Sequence, residues 1–150
     1  MTKPIQISLA SIDDAPDIAR LNMLFNEGRK SVEDIATDMQ SPACVESVIL
    51  AKSPDQTIGF ALIRIVPTVL YETPHAELTE LYVMEKFRQQ GIASHLINFA
   101  EKIAIQKGAD SLLIQTGDDN IPALALYHKL GYEEYDVTLK KTLHNLQIKL

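Results

Sequence analysis

The 150-residue chain has no tryptophan and a single cysteine, Cys44. One thiol cannot close an internal disulfide or build a thiolate metal cluster, which excludes a disulfide scaffold and agrees with a reducing compartment. The four histidines, at positions 75, 95, 128 and 144, include no i,i+4 pair, and no H-E-x-x-H pattern occurs, so no metal is expected. Glycine and proline are few, six and seven residues, and fall mainly at joints. The chain contains no linker, repeat or low-complexity tract, and it reads as one domain over 1–150. No apolar run approaches the roughly 18 residues of a membrane span. The opening Met1-Thr2-Lys3-Pro4 lacks the apolar core of a secretory signal, so a cytoplasmic protein without membrane association is expected. Positive charge is also short: 14 Lys and Arg against 20 Asp and Glu leave a net charge of −6. That balance argues against broad nucleic-acid binding and suits a cationic partner.

What is present is enough apolar sequence, 46%, for a real core, with 23% charged residues around it. Ile5, Ile7 and Leu9 alternate as in a first strand. Asp13, Asp14 and Pro16 start a helix whose stripe is Ile18, Leu21, Leu24 and Phe25 and whose stop is Gly28. Ser31 to Asp34 resembles a capping box opening a shorter helix that must end before Pro42. The period then switches to two: 45–51 and 58–66 flank Ser53-Pro54-Asp55-Gln56 as an antiparallel hairpin, and 76–83 follows as another strand. After Gly91, Ile92, Leu96, Phe99 and Ile103 trace the strongest helix, which Gly108 ends. A strand over 112–114, a helix over about 122–130 and an alternating strand over 132–139 complete the order, with 140–150 a further strand or an exposed tail. The expected fold is α/β, a mixed and partly antiparallel sheet flanked by helices, closing with a β-α-β crossover.

One segment carries chemistry: Leu81-Tyr82-Val83-Met84-Glu85-Lys86-Phe87-Arg88-Gln89-Gln90-Gly91-Ile92-Ala93-Ser94. A strand feeds a loop with small residues at 91 and 93, and the loop opens the long helix, whose first N–H groups have no partner within the helix. With the helix dipole and Arg88, this is a site for an anion such as a pyrophosphate. It is neither a Walker loop, because no G-K-S/T follows, nor a dinucleotide fingerprint, because Gly91 is its only glycine.

Arg88-x-x-Gly91-x-Ala93 resembles the R/Q-x-x-G-x-G/A motif of the GCN5-related N-acetyltransferases, with Leu81-Tyr82-Val83 before it as in that family's fourth strand. Asn120-x-x-Ala123-x-x-x-Tyr127-x-x-Leu130-Gly131-Tyr132 resembles the family's N…A…Y…L-G-F/Y segment. The likeness spans about residues 5–140. Ala93 stands where glycine is more usual, and Gln89-Gln90 brings less positive charge than common variants.

The resemblance implies acetyl-coenzyme A as donor, its pyrophosphate on backbone N–H groups of Arg88, Gln89, Gln90, Gly91, Ile92, Ala93 and Ser94. Its pantetheine arm would pair with backbone around Tyr82 and Val83, its far end held by Asn120. It also implies direct transfer to a neutral amine, with Tyr127 as general acid toward the leaving thiolate and the backbone N–H near Val83 as oxyanion donor. Glu80 is the expected base and Glu77 the alternative. Strict alternation sets Glu80 with Leu78 and Tyr82, and Glu77 on the opposite face, so from a regular strand only one of them can face the acceptor. A bulge would change that parity.

The acceptor is expected to be a small cationic molecule with a primary amine, walled by the helices of residues 13–40 and by Tyr71-Glu72. A protein N-terminus or lysine as acceptor, and a coenzyme A binding module without catalysis, are the alternatives. Cys44 is expected to be a small buried residue rather than a nucleophile. A homodimer using the last strand and tail is a further expectation of the resemblance.

Overall fold

Alternating Ile7 and Ser8 form the half-buried middle of β1 (Gln6–Leu9). In the computed structural model, which describes residues 4–143, a 3-10 turn over Ile12–Asp14 leads into α1 (Ala15–Asn26) and then α2 (Val32–Gln40). The Ser31 hydroxyl caps α2 by accepting the Asp34 N–H at 3.0 Å, as the capping pattern requires. β2 (Glu46–Lys52) and β3 (Thr57–Val66) form the hairpin, β4 (His75–Val83) follows, and α3 (Ile92–Gln106) and β5 (Leu113–Ile114) complete the crossover. The sheet order is β1-β2-β3-β4-β5, antiparallel except for the parallel β4–β5 pair.

The two faces of the sheet bury different helices. Leu50 and Phe60 point into a core with Ala15, Ile18, Leu21 and Ile35 from α1 and α2. The alternate positions Ile49, Ala51, Ala61, Ile63, Ala76 and Leu78 are also buried, and α3, which crosses β1 to β4, contributes the buried Leu96, Ile97, Ala100 and Ala104. These elements belong to a compact unit spanning Met1–Gly117.

The second unit spans Asp118–Leu150. Its helix α4 (Ile121–Lys129) starts at Asn120, whose side chain accepts the Ala123 N–H at 3.4 Å. It ends with Gly131 at φ 91° and the Tyr132 N–H donating to the Tyr127 carbonyl at 3.0 Å, a left-handed cap for which glycine is suited.

Two expectations are corrected. Residues 132–139 form no strand. Tyr135, Val137 and Leu139 do alternate with polar residues, yet each is at least 80% exposed, and no ladder pairs with them among the described residues. Alternation specifies a two-faced ribbon, but a strand also needs a hydrogen-bonded neighbour. Cys44 is exposed rather than buried, its thiol 3.4 Å from the Glu46 carbonyl oxygen, because it sits in the turn between α2 and β2. The expected tail lies outside the described residues from position 144 onward.

Candidate functional site

The register of β4 against β3 runs Arg64↔Glu77 and Ile63↔Leu78, then Leu62↔Glu80 and Phe60↔Tyr82. Thr79 is therefore an extra residue, a β-bulge, and its hydroxyl donates to the Leu62 carbonyl at 3.3 Å. The bulge reverses the parity. Leu62 and Ile63 lie on opposite faces, so Glu80 and Tyr82 leave the Leu78 face and join Glu77 on the face covered by α1 and α2. The regular-strand argument that separated the two carboxylates does not hold, and both are half-buried on one face. Glu77 is engaged: His75 Nε2 lies 3.7 Å away, and Arg64, directly across the ladder, carries Glu46 on its other side at 2.8 Å. The Glu46 hydrogen bond raises the Arg64 pKa first, and Glu77 adds to it. The Glu80 carboxylate has no ion pair or hydrogen bond among the described residues.

β5 accompanies β4 for only two residues, Glu77↔Leu113 and Leu78↔Ile114, so β4 runs on from Thr79 to Val83 beyond it. The Met84 N–H donates to Ile58 O of the β3 side at 2.9 Å. Because peptide directions alternate, the Val83 N–H and carbonyl, and those of Leu81, point away from β3 toward the side β5 has left. The peptide of Tyr82 turns the other way: its carbonyl sits against Gly59, where an added Cβ would lie 2.7 Å from that oxygen. The strand therefore offers the backbone of Leu81 and Val83, while Tyr82 contributes its ring.

At the end of β4 the chain makes a 3-10 turn over Glu85–Phe87 and enters the loop before α3. Gln89 (φ 59°) and Gly91 (φ 78°) are both left-handed, and the space around a Cβ at Gly91 is open. The Arg88 N–H is taken by the Glu85 carbonyl at 3.1 Å. The N–H groups of residues 89–94 donate to no protein group among the described residues, and α3 has no side-chain cap. Loop and helix end thus form a cradle of free donors with the positive end of the dipole behind it. Arg88 folds back along β4, its Nε donating to the Val83 carbonyl at 2.9 Å and its guanidinium 5.8 Å from the Tyr82 ring centre.

On the same sheet face, Phe25 of α1, Phe60 and Tyr82 form a ring cluster, with Phe25 5.1 Å from Tyr82 and 6.0 Å from Phe60. In the loop after β3, the Thr68 hydroxyl contacts the Tyr71 and Thr73 carbonyls, leaving Tyr71 exposed. In the second unit, Asn120 is the α4 cap, and Tyr127 packs edge-on against Tyr132 at 6.2 Å. Burial pushes the Tyr127 phenol above its ordinary pKa, so it is protonated at neutral pH. The Thr79 bulge and the ring cluster had no local sequence signal. Leu78-Thr79-Glu80 reads as plain alternation, and Phe25 reads as one more stripe residue.

The residues 13–132 match the acetyltransferase (GNAT) family, and the chain belongs to it. It is an N-acetyltransferase. Solved structures share the fold at low identity. One is an aminoglycoside acetyltransferase from an uncultured soil metagenomic sample in complex with sisomicin, 20% identical, with 93% of this chain and 97% of that one covered and a TM-score of 0.81. Another is the aminoglycoside acetyltransferase AAC(6')-Iy with a bisubstrate analogue, CoA-S-monomethyl-acetylneamine (20%, 94% and 99% covered, TM-score 0.81). A third is the ribosomal-protein-alanine N-acetyltransferase of Brucella melitensis biovar Abortus 2308 (17%, 92% and 99% covered, TM-score 0.76).

Proposed function

We propose that the protein transfers an acetyl group from acetyl-coenzyme A directly to the primary amine of a small cationic molecule. The observation that carries this reading is the continuity of two backbone surfaces, the edge of β4 that offers the Leu81 peptide groups and the Val83 N–H, and the donor cradle of residues 89–94. An acyl-coenzyme A needs both: amide partners for its pantetheine arm and N–H groups for its pyrophosphate. The AAC(6')-Iy structure with its coenzyme A analogue supports the same donor class. When bound, the donor supplies the acetyl thioester.

The chain's own groups supply the rest. The Val83 N–H stabilises the developing oxyanion, and a free carboxylate at Glu80 accepts the proton of the incoming ammonium, directly or through a water. Glu77, held between His75 and Arg64, is the less available base. Tyr127 is assigned the proton to the leaving thiolate, and Asn120 the pantetheine end, from their positions in the N…A…Y…L-G-Y motif. The N–C bond forms first, giving the tetrahedral oxyanion, and its collapse breaks the C–S bond; the ammonium gives up two protons in all, one to Glu80 before attack and one to solvent as the amide forms, and the thiolate takes the proton of Tyr127, which solvent then restores.

The excess of acidic residues and the aminoglycoside acetyltransferases of the same fold support a small cationic acceptor. The ribosomal-protein-alanine acetyltransferase of the same fold makes a protein N-terminus the second reading. The test is free-thiol release from acetyl-coenzyme A over a panel of small amines and N-terminal peptides. Release with small amines supports the proposal, and release with peptides alone gives the second reading. Coenzyme A binding without release overturns transfer.

A further inference from the structure

The ring cluster on the α1 side is closed at one end and open at the other. Phe60 is 5% exposed, whereas Phe25, in the last turn of α1, is 39% exposed although both rings touch Tyr82. Single exposed apolar side chains need no explanation. This one differs in its setting: the strand face that carries Tyr82 also carries the half-buried Glu80 and Glu77. Tyr82 already has the Arg88 guanidinium over its ring, so Phe25 is the aromatic surface left for another molecule.

We infer that Phe25 selects the acceptor, a primary amine carried on an apolar and preferably aromatic body. The inference rests on the acetyl-transfer reading above. Glu80 and Tyr82 are two residues apart on one face, which sets their Cα atoms about 7 Å apart along the strand. That separation suits an ammonium joined to a ring through two or three carbons, with the ammonium at Glu80 and the ring against Phe25. A polyhydroxylated amine needs donors and acceptors along its wall, and the Phe25 ring has none to give. Covering the open part of Phe25 with an aryl group favours such an acceptor about tenfold over a polar amine of similar charge.

The experiment compares kcat/KM for 2-phenylethylamine, spermidine and sisomicin, each with acetyl-coenzyme A, in wild type, Phe25→Leu and Phe25→Ala. The melting temperature of each variant is measured alongside. Wild type is expected to prefer 2-phenylethylamine at least tenfold, Phe25→Ala to bring that ratio near one, and Phe25→Leu, which keeps an apolar side chain and the fold, to fall between. Preference for spermidine or sisomicin, or a ratio unmoved in both variants, overturns the role of Phe25 and leaves acetyl transfer standing. No transfer to any of the three amines overturns the role of Phe25, and acetyl transfer itself is overturned only if the wider panel of amines and N-terminal peptides also releases no thiol.

Discussion

The Nε–H of Arg88 donates to the carbonyl oxygen of Val83 across 2.9 Å, tying the first residue of the anion loop to the last residue of β4. The bond fixes a positive charge where the strand edge meets the donor cradle and leaves the neighbouring Val83 N–H free. Both surfaces of the proposed donor site are thus organised by one side chain.

Replacing Arg88 should weaken the donor more than it slows the chemistry. Arg88→Ala is expected to raise KM for acetyl-coenzyme A about tenfold, the loss of one charge-assisted contact, while kcat changes little. Arg88→Lys restores charge but not the planar fork and should recover only part of the loss. Steady-state kinetics with varied donor at two salt concentrations checks this.

Gly91 has a left-handed backbone and open space where a Cβ would go. Gly91→Ala is expected to cost about 1 kcal/mol in stability from the unfavourable φ. Gly91→Glu adds bulk and negative charge at the cradle and should abolish coenzyme A binding in calorimetry with the fold retained by circular dichroism. Normal binding there would remove the cradle from the donor site.

Acid and base separate by substitution. The Tyr127 phenol is pushed above its usual value of about 10 by burial, so the alkaline limb of kcat belongs above pH 10. Tyr127→Phe should lower kcat about 100-fold, abolish that limb and leave donor affinity near wild type. Glu80→Gln should lower kcat/KM for the amine about 100-fold, whereas Glu77→Gln should cost less than about tenfold. If neither variant lowers the rate, both carboxylates are excluded as the base.

How far these groups were legible in the sequence depends on the range of the interactions that position them. Caps and stops are local, so the Ser31 cap, Gly91 at the start of α3 and the left-handed Gly108 just beyond its end are all readable from a few neighbouring residues. The Thr79 bulge was not, because it arises from the count of residues between two strands and nothing in Leu78-Thr79-Glu80 differs from ordinary alternation. That one extra residue moved Glu80 to the Glu77 face and overturned the parity argument. The expected strand over 132–139 failed for the opposite reason: the local pattern was present, but a strand is defined by a partner that sequence alone does not supply. Phe25 read as core from its helical spacing, and only the packing of Phe60 and Tyr82 beneath it left its ring half open.

The junction of α1 and β2 should be sensitive to acid. Asp14 accepts hydrogen bonds from Lys52 Nζ at 2.5 Å and from the Ser11 N–H at 2.8 Å. Burial, the largest single influence, pushes its carboxyl up, but the bonds from Lys52 and Ser11 together outweigh it and hold the pKa below the usual value. A depressed carboxyl contributes stability above its unfolded pKa of about 3.9 and loses it as the pH falls through the folded value. Asp14→Asn is therefore expected to lose about 1 kcal/mol at pH 7, with the difference from wild type fading toward pH 2, as read by urea unfolding at both pH values.

The central claim is that the free edge of β4 and the loop before α3 receive the donor as one surface. Amide resonances of the ¹⁵N-labelled protein, followed during titration with coenzyme A, test it most directly. The account predicts saturable shifts concentrated at Leu81, Val83 and residues 89–94, with the Ser53–Gln56 turn of the β2–β3 hairpin unchanged. Shifts centred elsewhere, or an unperturbed Val83 at saturation, would contradict it.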